Sequence, residues 1–478
     1  MQTQRMTPLE RRAAFSLAGI FSLRMMGLFM ILPVFALYAE TLGKVRPPHV
    51  LVGLAIGIYG LSQAVLQIPF GMLSDRFGRK PIITMGLLLF AVGSVMAATA
   101  DSITGVIIGR ALQGSGAIAA AVMALAADLT REEHRTKAMA VIGMSIGLSF
   151  VVSMAGGPIL NSWIGVDGIF WLTAVFALAG IAVLWFAVPN APHSAVHRDT
   201  EAVAAHFGVV LRDKDLLRLD GGIFALHFTL TGSFVALPFA LRDFSHVAPE
   251  HHWMIYLPVM LISLVLMVPL VIVAEKRRRI KQVFLAAILG VALAQFALTF
   301  AYHSTAGVVT ALLIFFASFN LLEALLPSLI VKYAPADKKG TAMGVYSTSQ
   351  FLGAFTGGVV GGWAYGALGL MGTFAASALV AVAWFLWART MSPPRYLSSF
   401  MLRIGTLPSA EAAEFQRRVK AMAGVAEAVF VPEDGVAYLK VDSAVVDYRA
   451  LEALAGNGGA DEDDAGDRRP DAEAPASV

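Results

Sequence analysis

No cysteine occurs anywhere in the 478 residues. Its absence rules out a disulfide framework, a thiolate metal site and a catalytic thiol, and leaves the redox compartment undetermined. Charge is scarce as well. Asp, Glu, Lys and Arg make up 14% of the chain against 57% hydrophobic residues, where a soluble domain carries roughly 25% charged and 45–50% apolar residues. The signatures of catalysis are missing too. There is no HExxH helix, no GxSxG elbow and no cluster of His and Asp at ligand spacing, so the reading is not an enzyme and calls for no cofactor and no metal. Gly114-Ser-Gly116 is no phosphate loop, because no Lys-Ser/Thr follows and it lies inside an apolar run. No filter-like segment suggests a channel.

What the chain does have is apolar runs of about 20 residues, the length an α-helix needs to cross ~30 Å of hydrocarbon. Twelve are expected: 13–39, 50–72, 81–99, 103–128, 138–161 and 167–188, then 220–242, 253–274, 282–302, 306–331, 341–364 and 368–389. They are too long for barrel strands and lack strict alternation. The fold class expected is therefore an all-α polytopic membrane protein of twelve helices, carrying a small C-terminal α+β module. The first run follows a basic start but is too long for the apolar core of a signal peptide. It also contains Arg24 and ends in Tyr38-Ala39-Glu40 with no cleavage site.

Lys and Arg lie almost wholly on one side of these runs. Arg11, Arg12, Arg79, Lys80, Arg131, Arg135, the run Lys276–Arg279, Lys332 and Lys338 share the side of the termini, whereas the opposite loops offer only Lys44, Arg46 and Arg242. The positive-inside bias places both termini in the cytoplasm. The net charge of +3 reports this topology and gives no support for nucleic-acid binding.

A polar segment, 190–218, divides the runs six and six, giving halves at 1–189 and 219–391. The halves resemble each other. Pro69, Asp75 and Arg79 at the end of the second run recur as Pro269, Glu275 and Arg279 at the end of the eighth, and Lys137-Ala-Met139-Ala-Val141 has a counterpart in Thr341-Ala-Met343-Gly-Val345. Such repeats mark the pseudo-symmetric halves of transporters. Past residue 391 the composition becomes that of a soluble module, 392–455, with β-α-β-β-α order. Its strands are Tyr396–Arg403, Val425–Val431 and Val436–Val441, its helices Ser409–Ala423 and Val446–Leu454, and Pro432-Glu-Asp-Gly435 is a hairpin signal. This is a ferredoxin-like unit without a final strand. Lacking Cys, it cannot be a CxxC metal carrier; ligand sensing, self-association and a role as folding aid stay open for it. The acidic, Gly- and Pro-containing tail, 456–478, has the composition of a disordered segment.

Gly71-Met-Leu-Ser-Asp75-Arg76-Phe-Gly78-Arg79-Lys80 resembles the loop signature of the major facilitator superfamily. Arg110-Ala-Leu-Gln113-Gly114 is similar to the fourth-helix motif of its proton-coupled exporters, and Gly157-Pro158 to their antiporter motif. That last motif is incomplete: Ser153 stands where a glycine is usual, and Asn161-Ser162 where two are. Arg24-Met-Met-Gly-Leu-Phe29 together with the small module looks most like the YajR subfamily of drug-efflux transporters. The resemblance implies export of a small-molecule substrate by alternating access in exchange for protons, in a bacterial inner membrane and among its lipids. A facilitator or importer of a small polar solute with a regulatory C-terminal module is the alternative.

Ionisable residues deep in membrane helices are costly unless they face a cavity or a partner. Arg24, Arg110, His227 and Glu323 are the clear cases, on the first, fourth, seventh and tenth runs. The resemblance implies that these helices line the central cavity, with Gln113, Asn320, Tyr59 and Gln63 as further lining. At 1.5 Å per residue His227 and Glu323 lie about 10 Å and about 12 Å from the same face, so they can meet. Glu323 is the expected proton carrier, His227 the second candidate, and Asn320, one turn away, the residue that orients Glu323. Asp75 is expected to latch the halves by sitting at the amino end of the eleventh helix, where dipole and free N–H groups favour an anion. Gly71 and Gly78 shape that corner, and Arg76, Arg79 and Asp128 supply its charges.

Overall fold

The structure, a computed structural model, describes residues 6–43, 48–190, 207–335, 338–393, 398–404, 409–431, 435–442, 445–447, 450–451 and 453. It falls into two compact units, residues 1–395 and 396–478. The first is helical: α1 Pro8–Phe29, α2 Phe35–Ala39, α3 His49–Phe77, α4 Arg79–Ala98, α5 Ile103–Ser115, α6 Ala119–Asp128, α7 Glu132–Phe186, α8 Phe207–Val210, α9 Lys214–Phe239, α10 Trp253–Lys276, α11 Ile280–Ala301, α12 Thr305–Tyr333 and α13 Lys339–Ala388. Among the described residues ten segments are long and apolar enough to cross a membrane, α5 and α6 counting as one. Two of the ten, 137–186 and 339–388, run to 50 residues each.

The helix ends follow local chemistry. Thr7 and Glu10 form a reciprocal capping box around Pro8, and Ser102, Asp213 and Ser304 cap α5, α9 and α12. The interruptions are as telling. The expected run 13–39 is not one helix: it stops at Phe29 and resumes at Phe35. Pro33 offers no N–H to the carbonyl of Phe29, and its ring would crowd that carbonyl in a continuous helix. The run 103–128 likewise breaks at Gly116. Within the two 50-residue segments, Gly165 (φ 70°) and Gly369 (φ 66°) leave the helical region, a backbone conformation only glycine adopts freely. The two glycines stand at the same remove from Lys137 and Thr341, so the internal repeat extends to the kinks.

Packing sorts the helices into central and peripheral. Helix α9 is buried nearly all round, whereas α10 presents Leu261, Val265, Leu266 and Val268 outward. Exposed apolar side chains on this scale, including Trp163, Phe186 and Leu379, would be a liability in water and are what a lipid-facing surface requires. Leu17, Phe21, Ile83, Leu87, Ile118, Leu125 and Leu184 form the core of the first half. The two halves meet where α3 crosses α13. There Gly53 lies against Gly358 so closely that a Cβ on either would strike the other's carbonyl oxygen, the small-residue contact typical of membrane helix pairs.

The second unit is a three-stranded antiparallel sheet of order β1-β3-β2, with β1 Ser398–Arg403, β2 Val425–Val431 and β3 Val436–Val441. Since β3 is antiparallel to both neighbours, β1 and β2 run parallel with β3 between them, the split β-α-β arrangement expected from the sequence. Its helix, α14 Ser409–Lys420, ends three residues earlier than expected. Leu402, Val419, Ala428, Leu439, Val441 and Leu451 make its core. Residues 448, 449, 452 and 454 of the expected helix Val446–Leu454, the hairpin residues 432–434, the linker residues 191–206 and the tail lie outside the described residues.

Candidate functional site

Two buried polar clusters stand inside the membrane unit, one in each half. In the first, the Arg24 guanidinium from α1 is 1% exposed. Its Nη2 donates to Gln63 Oε1 (2.5 Å) on α3 and to the carbonyl of Gly116 (3.0 Å), where α5 gives way to α6. Arg110 from α5 donates to Gln113 Oε1 (3.0 Å) and to the carbonyls of Ala55 and Ile56 (both 3.4 Å). Gln113 Nε2 in turn donates to Ser94 Oγ (2.7 Å) on α4. Both cations approach one ring: the guanidinium carbons of Arg24 and Arg110 lie 5.8 and 5.2 Å from the Tyr59 centroid, within cation–π range. The sequence placed Tyr59, Gln63 and Gln113 at the cavity; the structure gathers them with both arginines and buries all five.

The second cluster joins α9, α12 and α13. His227 Nε2 lies 3.6 Å from Glu323 Oε1, so the two residues expected to share a level do meet. Gln350 Nε2 is 2.9 Å from the same ring nitrogen, and His227 Nδ1 is 3.3 Å from the Ile223 carbonyl. A carbonyl only accepts and an amide nitrogen only donates, so this set of partners favours the neutral ring protonated at Nδ1. The expected role of Asn320 is not what the structure shows. Its amide donates to Ser263 (2.8 Å) on α10 rather than orienting Glu323, because the side chain projects to a different neighbour from the one its spacing suggested. Tyr346, from α13, is buried in the same half, and neither its hydroxyl nor Glu323 Oε1 has a hydrogen-bond partner among the described residues.

At the α3–α4 corner the loop signature forms a compact charge network. Arg79 bridges Asp75 and Asp128 (3.2 Å to the latter) and donates to Ser74 (2.9 Å), while Gly78 makes the turn at φ 92°. Gly71 packs against Ala120. Arg76 stays outside the network, over the ring of Phe77. The Asp75 carboxylate is thus engaged inside its own half. Gly157 of α7 lies against the Met30 backbone, beside the interruption of the first run, where Pro33 also touches it, and Pro158 follows within the helix.

A further set of contacts, at the opposite end from Arg79, went unread in the sequence. Arg242, just past α9, bonds Glu40 (2.6 Å) after α2. Beside them the rings of His49 and Tyr365 (4.2 Å between centroids) and of Tyr365 and Phe239 (5.2 Å) pack at a tilt. The Arg242–Glu40 and His49–Tyr365 pairs each join the first half to the second. A signal existed: Arg242 is one of the few basic residues that defy the positive-inside bias, and a cation kept on the wrong side needs a reason.

Comparison with known proteins agrees with this architecture. The family model described as Major Facilitator Superfamily matches residues 17–248 and 219–418. The chain is 48% identical to the inner membrane transport protein YajR of Escherichia coli over 95% of this chain and 99% of that protein. It is 28% identical to the multidrug resistance protein MdtH of Aeromonas salmonicida over 70% of this chain and 83% of that one. In fold it resembles a bacterial homologue of the human lysosomal transporter Spinster, with a TM-score of 0.66 at 14% identity, covering 81% of this chain and 98% of the other. The chain is an integral membrane protein of the major facilitator superfamily.

Proposed function

We propose that this protein is a proton-coupled exporter of small amphiphilic molecules, working by alternating access, with Glu323 as the group that takes and releases the proton. The observation that carries the reading is the meeting of His227 and Glu323, 3.6 Å apart on two central helices. A carrier that exchanges substrate for protons needs one buried group that is charged in one state and neutral in another. A carboxylate whose exposure changes between states can do this, whereas an arginine keeps its proton. Protonating His227 at Nε2 would cost the Gln350 contact and offer a new donor to Glu323, which couples the pair to its surroundings. YajR and MdtH, related along most of their length, carry the names of a transport protein and a multidrug resistance protein, in keeping with this reading.

In this proposal the segments 137–186 and 339–388 each cross the membrane twice, turning at Gly165 and Gly369, which makes twelve spans with both termini in the cytoplasm. The contacts of Glu40, His49 and α3 with the second half close the extracytoplasmic side. In the outward-facing state the cytoplasmic side closes instead, and Asp75 moves onto the amino end of α13. The C-terminal module stands aside from this cycle, as a contact for self-association or regulation. Uptake into everted vesicles or proteoliposomes tests the reading: an imposed pH gradient accumulates substrate in the exporter. Equilibration with no response to the gradient would indicate a facilitator.

A further inference from the structure

Among the described residues, the cluster around Tyr59 holds two cations and no anion. Arg24 and Arg110 are 1% and 3% exposed, yet among the described residues their hydrogen bonds go only to neutral amide and carbonyl oxygens. Arg24 bonds through Nη2 alone. Among the described residues its Nε and Nη1, the Tyr59 hydroxyl and Gln63 Nε2 are all buried without a hydrogen-bond partner. Every one of these four atoms can donate, and only the phenol oxygen can also accept. Burying a charge unpaired and leaving donors unsatisfied are among the costliest things a fold can do. A glutamine or methionine at position 24 would tie the helices together without that cost. Packing alone therefore does not account for the arginine.

We propose that Arg24, Tyr59 and Gln63 form a subsite for the anionic head of a small amphiphile, a carboxylate or a sulfonate. An acceptor-only group carrying negative charge satisfies in one step what the cluster lacks, and charge-assisted hydrogen bonds to guanidinium are the strong kind. The same place offers an apolar flank for the rest of such a molecule: Tyr59, Phe90, Ala91 and Ala177, with Leu28 and Phe351 against them. The donors are sealed from solvent in this conformation, so the head group enters when the halves part and Phe351 of α13 leaves the Tyr59 ring it now faces. Arg110, fully engaged by α3 carbonyls and Gln113, adds field rather than contact. The subsite rests on the transporter reading above, and lies in the other half from Glu323.

The test uses the purified full-length protein with benzoate and benzenesulfonate as probes and benzamide as the neutral counterpart, at fixed ionic strength. The readout is the thermal unfolding midpoint across a titration. Both anions raise the midpoint saturably and benzamide does not. Arg24→Gln weakens the apparent benzoate affinity about tenfold or more, and Tyr59→Phe, which keeps the ring and loses one donor, about three- to tenfold. Benzoate against benzenesulfonate tells which head group fits better. Equal effects of benzamide and benzoate, or no effect of either anion, overturn the proposal, as does parent-like benzoate affinity in Arg24→Gln. Should Arg24→Gln fail to fold, parent-like affinity in Tyr59→Phe overturns it. A parent that binds benzoate but ignores a pH gradient contradicts the coupling reading alone, and gradient-driven transport without anion selectivity contradicts the subsite alone.

Discussion

The two halves bury polar residues at comparable places and for different ends. In the first half the charges are fixed: Arg24 and Arg110 stay cationic at any pH the cell meets, held by carbonyls, amides and the Tyr59 ring. In the second half the central pair, His227 and Glu323, is titratable, and its partners on α9 and α13 are neutral. The difference suggests a division in which one half supplies a constant field and the other a charge that comes and goes. A repeat gives two scaffolds of one design, and what each carries at the centre is free to diverge.

That contrast can be broken in several ways. The largest effect is expected from Glu323→Gln, which reduces gradient-driven uptake to the level of empty liposomes while downhill exchange of substrate continues. Arg110→Lys keeps the charge but loses the planar fork and the ring contact, so transport falls about tenfold by the same factor at every pH. If instead its pH–rate profile moves, the first half titrates too and the division is wrong. His227→Ala does the converse: the rate at the optimum falls only a few-fold, but the optimum itself shifts, because Glu323 has lost its neighbour. Asp75→Asn leaves the centre untouched and has the smallest effect on rate, about two- to fivefold. It redistributes the protein toward inward-facing states, read by labelling single cysteines introduced on either face of this cysteine-free chain. Unchanged labelling on both faces removes Asp75 from the latch.

Much of this was legible before any coordinates. Apolar run length marks the membrane segments, and helical rise along two of them places His227 and Glu323 at one level, because depth in a membrane helix is a one-dimensional quantity. Rotation about the helix axis is not. Asn320 shares a turn with Glu323 and still reaches α10, and only packing decided that. The approach of two arginines to the Tyr59 ring needed the mutual rotation of α1, α3 and α5, which no single run encodes. The breaks at Pro33 and Gly116 stood in plain sight as residue types, but hydropathy averages over them. The strands of the C-terminal module were the easiest elements, since β-rich runs bounded by turn residues leave little freedom of register.

The central claim is that the proton is carried in the second half, by Glu323. Substrate-induced proton release from purified protein in weakly buffered solution tests it most directly, comparing the parent with Glu323→Gln and Arg24→Gln. Release is expected from the parent, from Arg24→Gln once substrate is raised to saturation, and not from Glu323→Gln even at saturating substrate. Parent-like release from Glu323→Gln would contradict it and move the proton to another group.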